Sequence, residues 1–321
     1  MEYRRLGNSG LTVSTIGLGC NNFGRAQTVT RTQEGTDAVI NAAIDAGITF
    51  FDTADIYGAE RGLSETLMGN SLAGRRDDVV LATKFGMDMA GVTGVDWGAR
   101  GSRRYIRRSV EASLRRLQTE WIDLYQLHEP DPLTPIEETL STLDDLIREG
   151  KVRYIGHSNL AGWQITEAEF TAQLHGHPKF ISAQNEYSLL VRDAEVEVLP
   201  AVRAYGLGFL PFFPLYNGLL TGKFTRDNRP SNARITAQKP HLLEDAPWDG
   251  LEAYASFCAD RGITMVEATF AWLLAQPNLS SVIAGATTPE QVAQNAAAST
   301  AWRPTDDEVR QIAEFFDPDL A

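Results

Sequence analysis

Short apolar runs alternate with longer amphipathic segments along the chain. The runs are 14–18 (STIGL), 48–51 (ITFF), 78–83 (DVVLAT), 121–126 (WIDLYQ), 152–156 (VRYIG), 180–184 (FISAQ), 207–212 (LGFLPF) and 281–284 (SVIA), and they predict eight strands. Between and after them, 32–46, 60–72, 102–117, 134–149, 162–174, 193–205, 248–260, 264–275, 289–298 and 305–316 repeat apolar residues at helical spacing. Continuous apolar strands alternating with helices imply a parallel sheet covered on both faces. Eight such units without a break in composition predict a (β/α)8 barrel occupying 1–321 as one domain, with a doubly wound sheet as the alternative. The opening YRRLGNSGLTV predicts a β-hairpin across the barrel floor, and 305–316 an extra C-terminal helix. The stretch 213–247, rich in Pro, Gly, Asn and Arg, predicts a long functional loop. Ser102 and Thr288 are expected as helix N-caps, the latter followed by Pro289 and by Gln291 in a capping box. The six arginines of 102–117 read as a solvated helix face.

Composition removes whole classes of function. The 321 residues carry a net charge of −13, which argues against nucleic acid or an anionic membrane as a partner. No apolar window is long enough to span a bilayer, and MEYRRLGNSG lacks the apolar core of a signal peptide. Two cysteines, Cys20 and Cys258, form no CxxC and no disulfide framework. The expectation is a cytoplasmic protein with reduced thiols.

Three motifs fail on inspection. GLGCNNFG at 17–24 has Asn22 where a dinucleotide fingerprint needs its third glycine. GLLTGKF at 218–224 is one residue short of a P-loop and places Phe224 where a magnesium-binding hydroxyl belongs. His175-Gly-His177 has no third ligand close in sequence, so no metal is expected.

The C-terminal strand ends carry the chemistry of a (β/α)8 barrel. Read in order, those ends carry Asp52 with Tyr57 just beyond, Lys84, His128, Ser158-Asn159, Gln184 and Phe212-Phe213. An isolated buried Lys or Asp is costly, but together in one mouth the two compensate each other. An ammonium beside a phenol favours the phenolate and lowers a pKa that starts near 10. Such a group suits a carbonyl that becomes an alkoxide and is protonated. It does not suit hydrolysis, since no nucleophile–base pair and no metal cluster accompany it.

These residues sit in FFDTADIYG, LATKFG, IDLYQLHEPDP, KVRYIGHSN, AQNEYSLL, GLLTGK and VIAGATTPEQVAQN. On those motifs, in that order, the whole chain resembles the aldo-keto reductase family, of bacterial type and near the branch containing potassium-channel β subunits. The resemblance implies reversible NAD(P)H-dependent reduction of aldehydes or ketones to alcohols. Tyr57 would be the general acid, Lys84 its tuner, Asp52 the partner of Lys84, and His128 the group that orients the carbonyl. Ser158, Asn159 and Gln184 would hold the nicotinamide carboxamide, with Phe212 standing where relatives carry a stacking Tyr. Leu215, Gly218, Leu220, Gly222 and Lys223 would cover the pyrophosphate. Gly285, Thr287, Gln291, Gln294 and Asn295 would receive the adenosine end at a helix N-terminus. Asn21, Phe23, Trp97 and Glu129 would line the substrate pocket, and the acidic Glu129 and Asp131 disfavour anionic substrates. The resemblance implies NADPH as the cofactor, with NADH possible because 283–295 contains no Lys or Arg; strong NADPH selection would need a basic residue outside that segment, such as Arg226 in the long loop. The resemblance also admits a different class, a nucleotide-binding partner subunit with slow turnover.

Overall fold

The computed structural model describes residues 1–230, 235–236 and 239–316. β1 (Tyr3–Arg5) and β2 (Thr12–Ser14) form an antiparallel hairpin. β3 (Ile16–Gly19), β4 (Phe50–Asp52), β5 (Val80–Phe85), β6 (Ile122–Leu127), β7 (Val152–Ser158), β8 (Ser182–Gln184), β9 (Gly208–Phe209) and β10 (Val282–Gly285) follow. They lie parallel in the order β10-β3-β4-β5-β6-β7-β8-β9. The two ends of the sheet meet. Phe209 N–H donates to the Asn278 carbonyl (2.8 Å), Ser280 N–H to the Phe209 carbonyl (3.0 Å), and Ile283 N–H to the Pro211 carbonyl (3.1 Å). These bonds close the sheet into the barrel that the strand–helix alternation predicts.

The helices are α1 (Gln33–Asp45), α2 (Leu63–Ser71), α3 (Arg103–Leu117), α4 (Ile136–Arg148), α5 (Gly162–His175), α6 (Val198–Tyr205), α7 (Trp248–Asp260), α8 (Met265–Leu274), α9 (Pro289–Ala301) and α10 (Asp306–Glu314). Among the described residues no helix is long and apolar enough to cross a membrane. The segment expected as one helix over 193–205 divides into a 3-10 turn (Asp193–Glu195) and α6. Pro200 lacks an N–H, so it fits the first turn of α6 but not the interior of a longer helix. The loop expected over 213–247 contains a kinked 3-10 segment (Tyr216–Thr221) and one helical turn (His241–Glu244); its residues 231–234 and 237–238 lie outside those described.

Side-chain alternation builds the barrel in layers. Phe50, Ala82, Leu124, Leu210 and Ile283 form one apolar cluster inside, with Leu6 and Val13 of the hairpin packed among them. The hairpin therefore seals the floor. Two residues further along each strand, the same inward face becomes polar: Phe50 gives way to Asp52, Ala82 to Lys84, Leu124 to Gln126. Several strands end one or two residues nearer the rim than their apolar runs do, because these polar residues still belong to the ladder.

Two local expectations are corrected. Ser102 occupies the N-cap of α3, but its hydroxyl donates to the Ala99 carbonyl (2.6 Å), and Glu138 accepts from Arg103 N–H instead (2.8 Å). The α3 arginines are also more than a solvated face. Arg103 pairs with Asp145 and Arg107 with Glu149 across to α4, while Arg116 turns inward to Glu65 at 2.6 Å.

Candidate active site

Asp52 ends β4 inside the barrel, where three donors converge on its carboxylate. Lys84 Nζ from β5 donates to Oδ2 at 2.6 Å, while Gln126 Nε2 from β6 (3.1 Å) and Gln184 Nε2 from β8 (3.0 Å) donate to Oδ1. Lys84 is fully buried and also donates to the Thr53 carbonyl at 2.8 Å. The chain after Asp52 keeps contact with β5: Thr53 N–H donates to the Ala82 carbonyl (2.9 Å) and Asp55 N–H to the Lys84 carbonyl (3.2 Å). Tyr57 follows on this anchored loop. Gly58, at φ +116°, then turns the chain into α2, and a Cβ there would meet Leu63 Cβ at 2.7 Å. That conformation and that space are open only to glycine.

Lys84 Nζ lies 5.3 Å from the Tyr57 ring centroid, and the His128 ring packs edge-on to Tyr57 with centroids 5.8 Å apart. Burial acts to lower the Lys84 pKa, but Asp52 and Tyr57 outweigh it and hold the ammonium above its ordinary value. Burial and the Lys84 charge push His128 well below the usual histidine range, so its ring is neutral. The expectation for Tyr57 needs correction. Burial raises its pKa above the ordinary phenol value, and Asp52 adds to that; Lys84 pulls in the expected direction, assisted by Asn21, without overcoming burial. Lys84 therefore limits the cost of the phenolate rather than bringing the resting phenol to neutrality.

A cleft of about 1230 Å³ opens above this layer. Asp52, Tyr57, His128, Ser158, Asn159, Gln184 and Asn21 form its inner part, and Phe212, Leu215, Gly218, Lys223, Gly285, Thr287, Gln291, Gln294 and Asn295 carry it across the rim. Ser158 Oγ donates to the Gln184 carbonyl (2.8 Å), and Asn159 Nδ2 to the His128 carbonyl (2.9 Å). Five expected residues lie elsewhere. Phe23 and Leu220 are buried in the core, Trp97 is 71% exposed under the Arg104 guanidinium, and Glu129 does not reach the cleft. Gly222 only ends the 3-10 segment, at φ +79°. Asp131 accepts from Gly101 N–H (2.6 Å) and Leu133 N–H (2.9 Å), so it shapes a loop and does not line the cleft.

The cleft suits a long, polar, anionic ligand. Asn217 Oδ1 is a buried acceptor on its wall with no hydrogen-bond partner among the described residues. Lys223 meets no carboxylate at ion-pair distance among them. Phe213, Tyr216 and Asn217 all hold left-handed backbone (φ +53°, +44°, +56°). Such strain costs about 1–3 kcal/mol per residue and clusters at ligand clamps. At the far end Thr288 caps α9, accepting from Gln291 N–H (3.4 Å). The expected box is displaced by one residue: Gln291 Oε1 accepts from Thr287 N–H (2.8 Å) rather than from the cap residue. Arg226 is held by Glu252 (2.6 Å) and Asp249, and does not line the cleft.

Sequence reasoning missed Gln126 and, in the loop after β3, the cleft-lining Asn22, Arg25, Gln27 and Thr28. Gln126 stands two positions before His128, so the inward alternation of β6 was the signal that marks it.

A closed parallel barrel with a Lys–Asp pair behind a Tyr and a neutral His defines a class of oxidoreductase, and comparison places the chain within it. Residues 15–317 match the profile of the Aldo/keto reductase family. The chain is 40% identical over 298 residues to the uncharacterized oxidoreductase YrpG of Bacillus subtilis (strain 168), covering 91% of this chain and 89% of that one. It is 35% identical over 314 residues to a probable voltage-gated potassium channel subunit beta of Oryza sativa subsp. japonica (92% and 90% covered). It is 32% identical over 308 residues to the L-glyceraldehyde 3-phosphate reductase of Escherichia coli (strain K12) (92% and 86% covered). The protein belongs to the aldo/keto reductase family.

Proposed function

We propose that this oxidoreductase interconverts aldehydes or ketones and alcohols with a nicotinamide nucleotide. The observation that carries the reading is the fully buried Lys84–Asp52 pair at 2.6 Å, placed directly behind the Tyr57 phenol at the head of the cleft. When bound, the reduced nucleotide supplies the hydride. Tyr57 gives its proton to the oxygen that gains charge, and Lys84 stabilises the phenolate left behind. His128, being neutral, donates one N–H to the same oxygen and orients it. Ser158, Asn159 and Gln184 would hold the carboxamide, and Lys223 with the orphaned Asn217 acceptor would meet the phosphates and their sugar.

NADPH and NADH are both expected to serve. The adenosine end offers the α9 N-terminus, segment 283–295 carries no Lys or Arg, and Glu290 puts a carboxylate in the first turn. Discrimination should stay below about a hundredfold, or roughly 2.8 kcal/mol. The test is turnover of purified protein with each nucleotide on aldehydes and ketones, with dissociation constants from tryptophan quenching. Tyr57→Phe should lose about 10²–10⁴-fold in the chemical step with nucleotide affinity unchanged. Retention of more than half the wild-type rate, with chemistry limiting, overturns the assignment. A single burst without steady turnover would instead mark a nucleotide-binding partner.

A further inference from the structure

The second oxygen of Asp52 is held in a way the proposed chemistry does not by itself require. We infer that Gln126 is a positioning residue for the proton donor: its side-chain amide clamps Asp52 Oδ1 so that Oδ2 stays on Lys84, and Lys84 on Tyr57. This rests on the proposed function, since it concerns the same proton.

Gln126 is fully buried and reaches no part of the cleft. It stands beside Lys84 in the β5–β6 ladder and beside Gly156 in the β6–β7 ladder. Gly156 leaves it room: a Cβ there would lie 3.3 Å from Gln126 Cγ and 2.2 Å from Ser182 Oγ. The amide gives Nε2 to Asp52 while its own Oε1 finds no partner among the described residues. A buried acceptor left unmatched is unfavourable. The orientation is fixed by the gain from donating to a carboxylate, since the flipped amide would set oxygen against oxygen.

Gln184 gives the same bond from the cleft wall, and it is also a candidate to meet the nicotinamide carboxamide. Gln126 has no such second duty. When Gln184 adjusts to a ligand, Gln126 is the amide that keeps the carboxylate aligned. The amide also places the positive end of a dipole near the Asp52–Lys84–Tyr57 line. Without it the negative potential of Asp52 at the phenol grows, and the phenolate becomes harder to form.

The test uses alcohol oxidation, where Tyr57 acts as base, with a deuterated alcohol to isolate the chemical step. Gln126→Met keeps the volume and removes the donor. It should lower kcat about tenfold, leave nucleotide affinity within about twofold, and move the apparent pKa of kcat upward by about half a unit or more. Gln126→Glu should move it further still, since a second carboxylate beside Asp52 opposes the phenolate. It also carries the test if the Met variant does not fold. A filler of the core would alter stability but not the pH profile, so unchanged profiles in both variants overturn the inference. If the wild type turns over no carbonyl or alcohol, the proposed function fails. Gln126 is then judged by ultraviolet titration of Tyr57 against matched Tyr57→Phe proteins, with the same upward order expected and an unchanged titration again overturning it.

Discussion

Asp52 and Asp55 lie three positions apart, are both buried, and face opposite sides of the barrel wall. Asp52 points inward, where Lys84, Gln126 and Gln184 converge on it. Asp55 belongs to a cluster formed with Glu65, Thr83 and Arg116, and neither of its oxygens has a hydrogen-bond partner among the described residues. Burial, then the neighbouring Glu65, push its pKa well above the usual carboxylate range, and Arg116 only partly offsets them. Arg116 is committed to Glu65, so burial favours the neutral form of Asp55. Two identical side chains three positions apart thus differ because three side-chain donors reach Asp52 and, among the described residues, none reaches Asp55.

Breaking the inner pair should have the largest effect. Lys84→Met leaves Asp52 buried without its cation, a loss of about 3–5 kcal/mol. Urea unfolding reads the stability. Turnover should fall by about a hundredfold or more as the phenolate loses its counter-charge. A variant as active and as stable as wild type would dissolve the distinction between the two sides.

Arg116→Met attacks the outer cluster. It leaves Glu65 accepting only from Thr83, beside Asp55. Arg116 keeps 17% side-chain exposure, so the cost should be about 2 kcal/mol, below that of a fully enclosed pair. Turnover per folded molecule should stay within about threefold, because the cluster touches no cleft residue beyond the loop it supports. Calorimetry alongside kcat checks both.

The smallest effect should be a gain. The folded-state pKa of Asp55 is raised, so its contribution to stability is fully present below the ordinary carboxyl pKa and is lost as pH rises toward the raised value. Asp55→Asn should therefore be more stable than wild type near pH 7, by about 1 kcal/mol, with the difference vanishing near pH 4. Denaturant midpoints at the two pH values decide it. A destabilised Asn variant near pH 7 would mean that Asp55 carries its charge after all.

The alternation of apolar runs and amphipathic segments is a local property, repeated eight times, and it determined the barrel and which residues stand on its rim. Strand-ending Asp52, Lys84, His128, Ser158 and Gln184 were legible because an inward face that turns polar after two residues shows in spacing alone. What each rim residue touches was not legible. The donors to Asp52 come from 32, 74 and 132 positions away, and the alternation that turns Gln126 inward does not say that it bonds Asp52 until the barrel closes. The split between Asp52 and Asp55, the inward turn of Arg116 and the raised phenol of Tyr57 likewise depend on burial and on which donors arrive. Those are set by neighbours in space, so only the tertiary structure decided them.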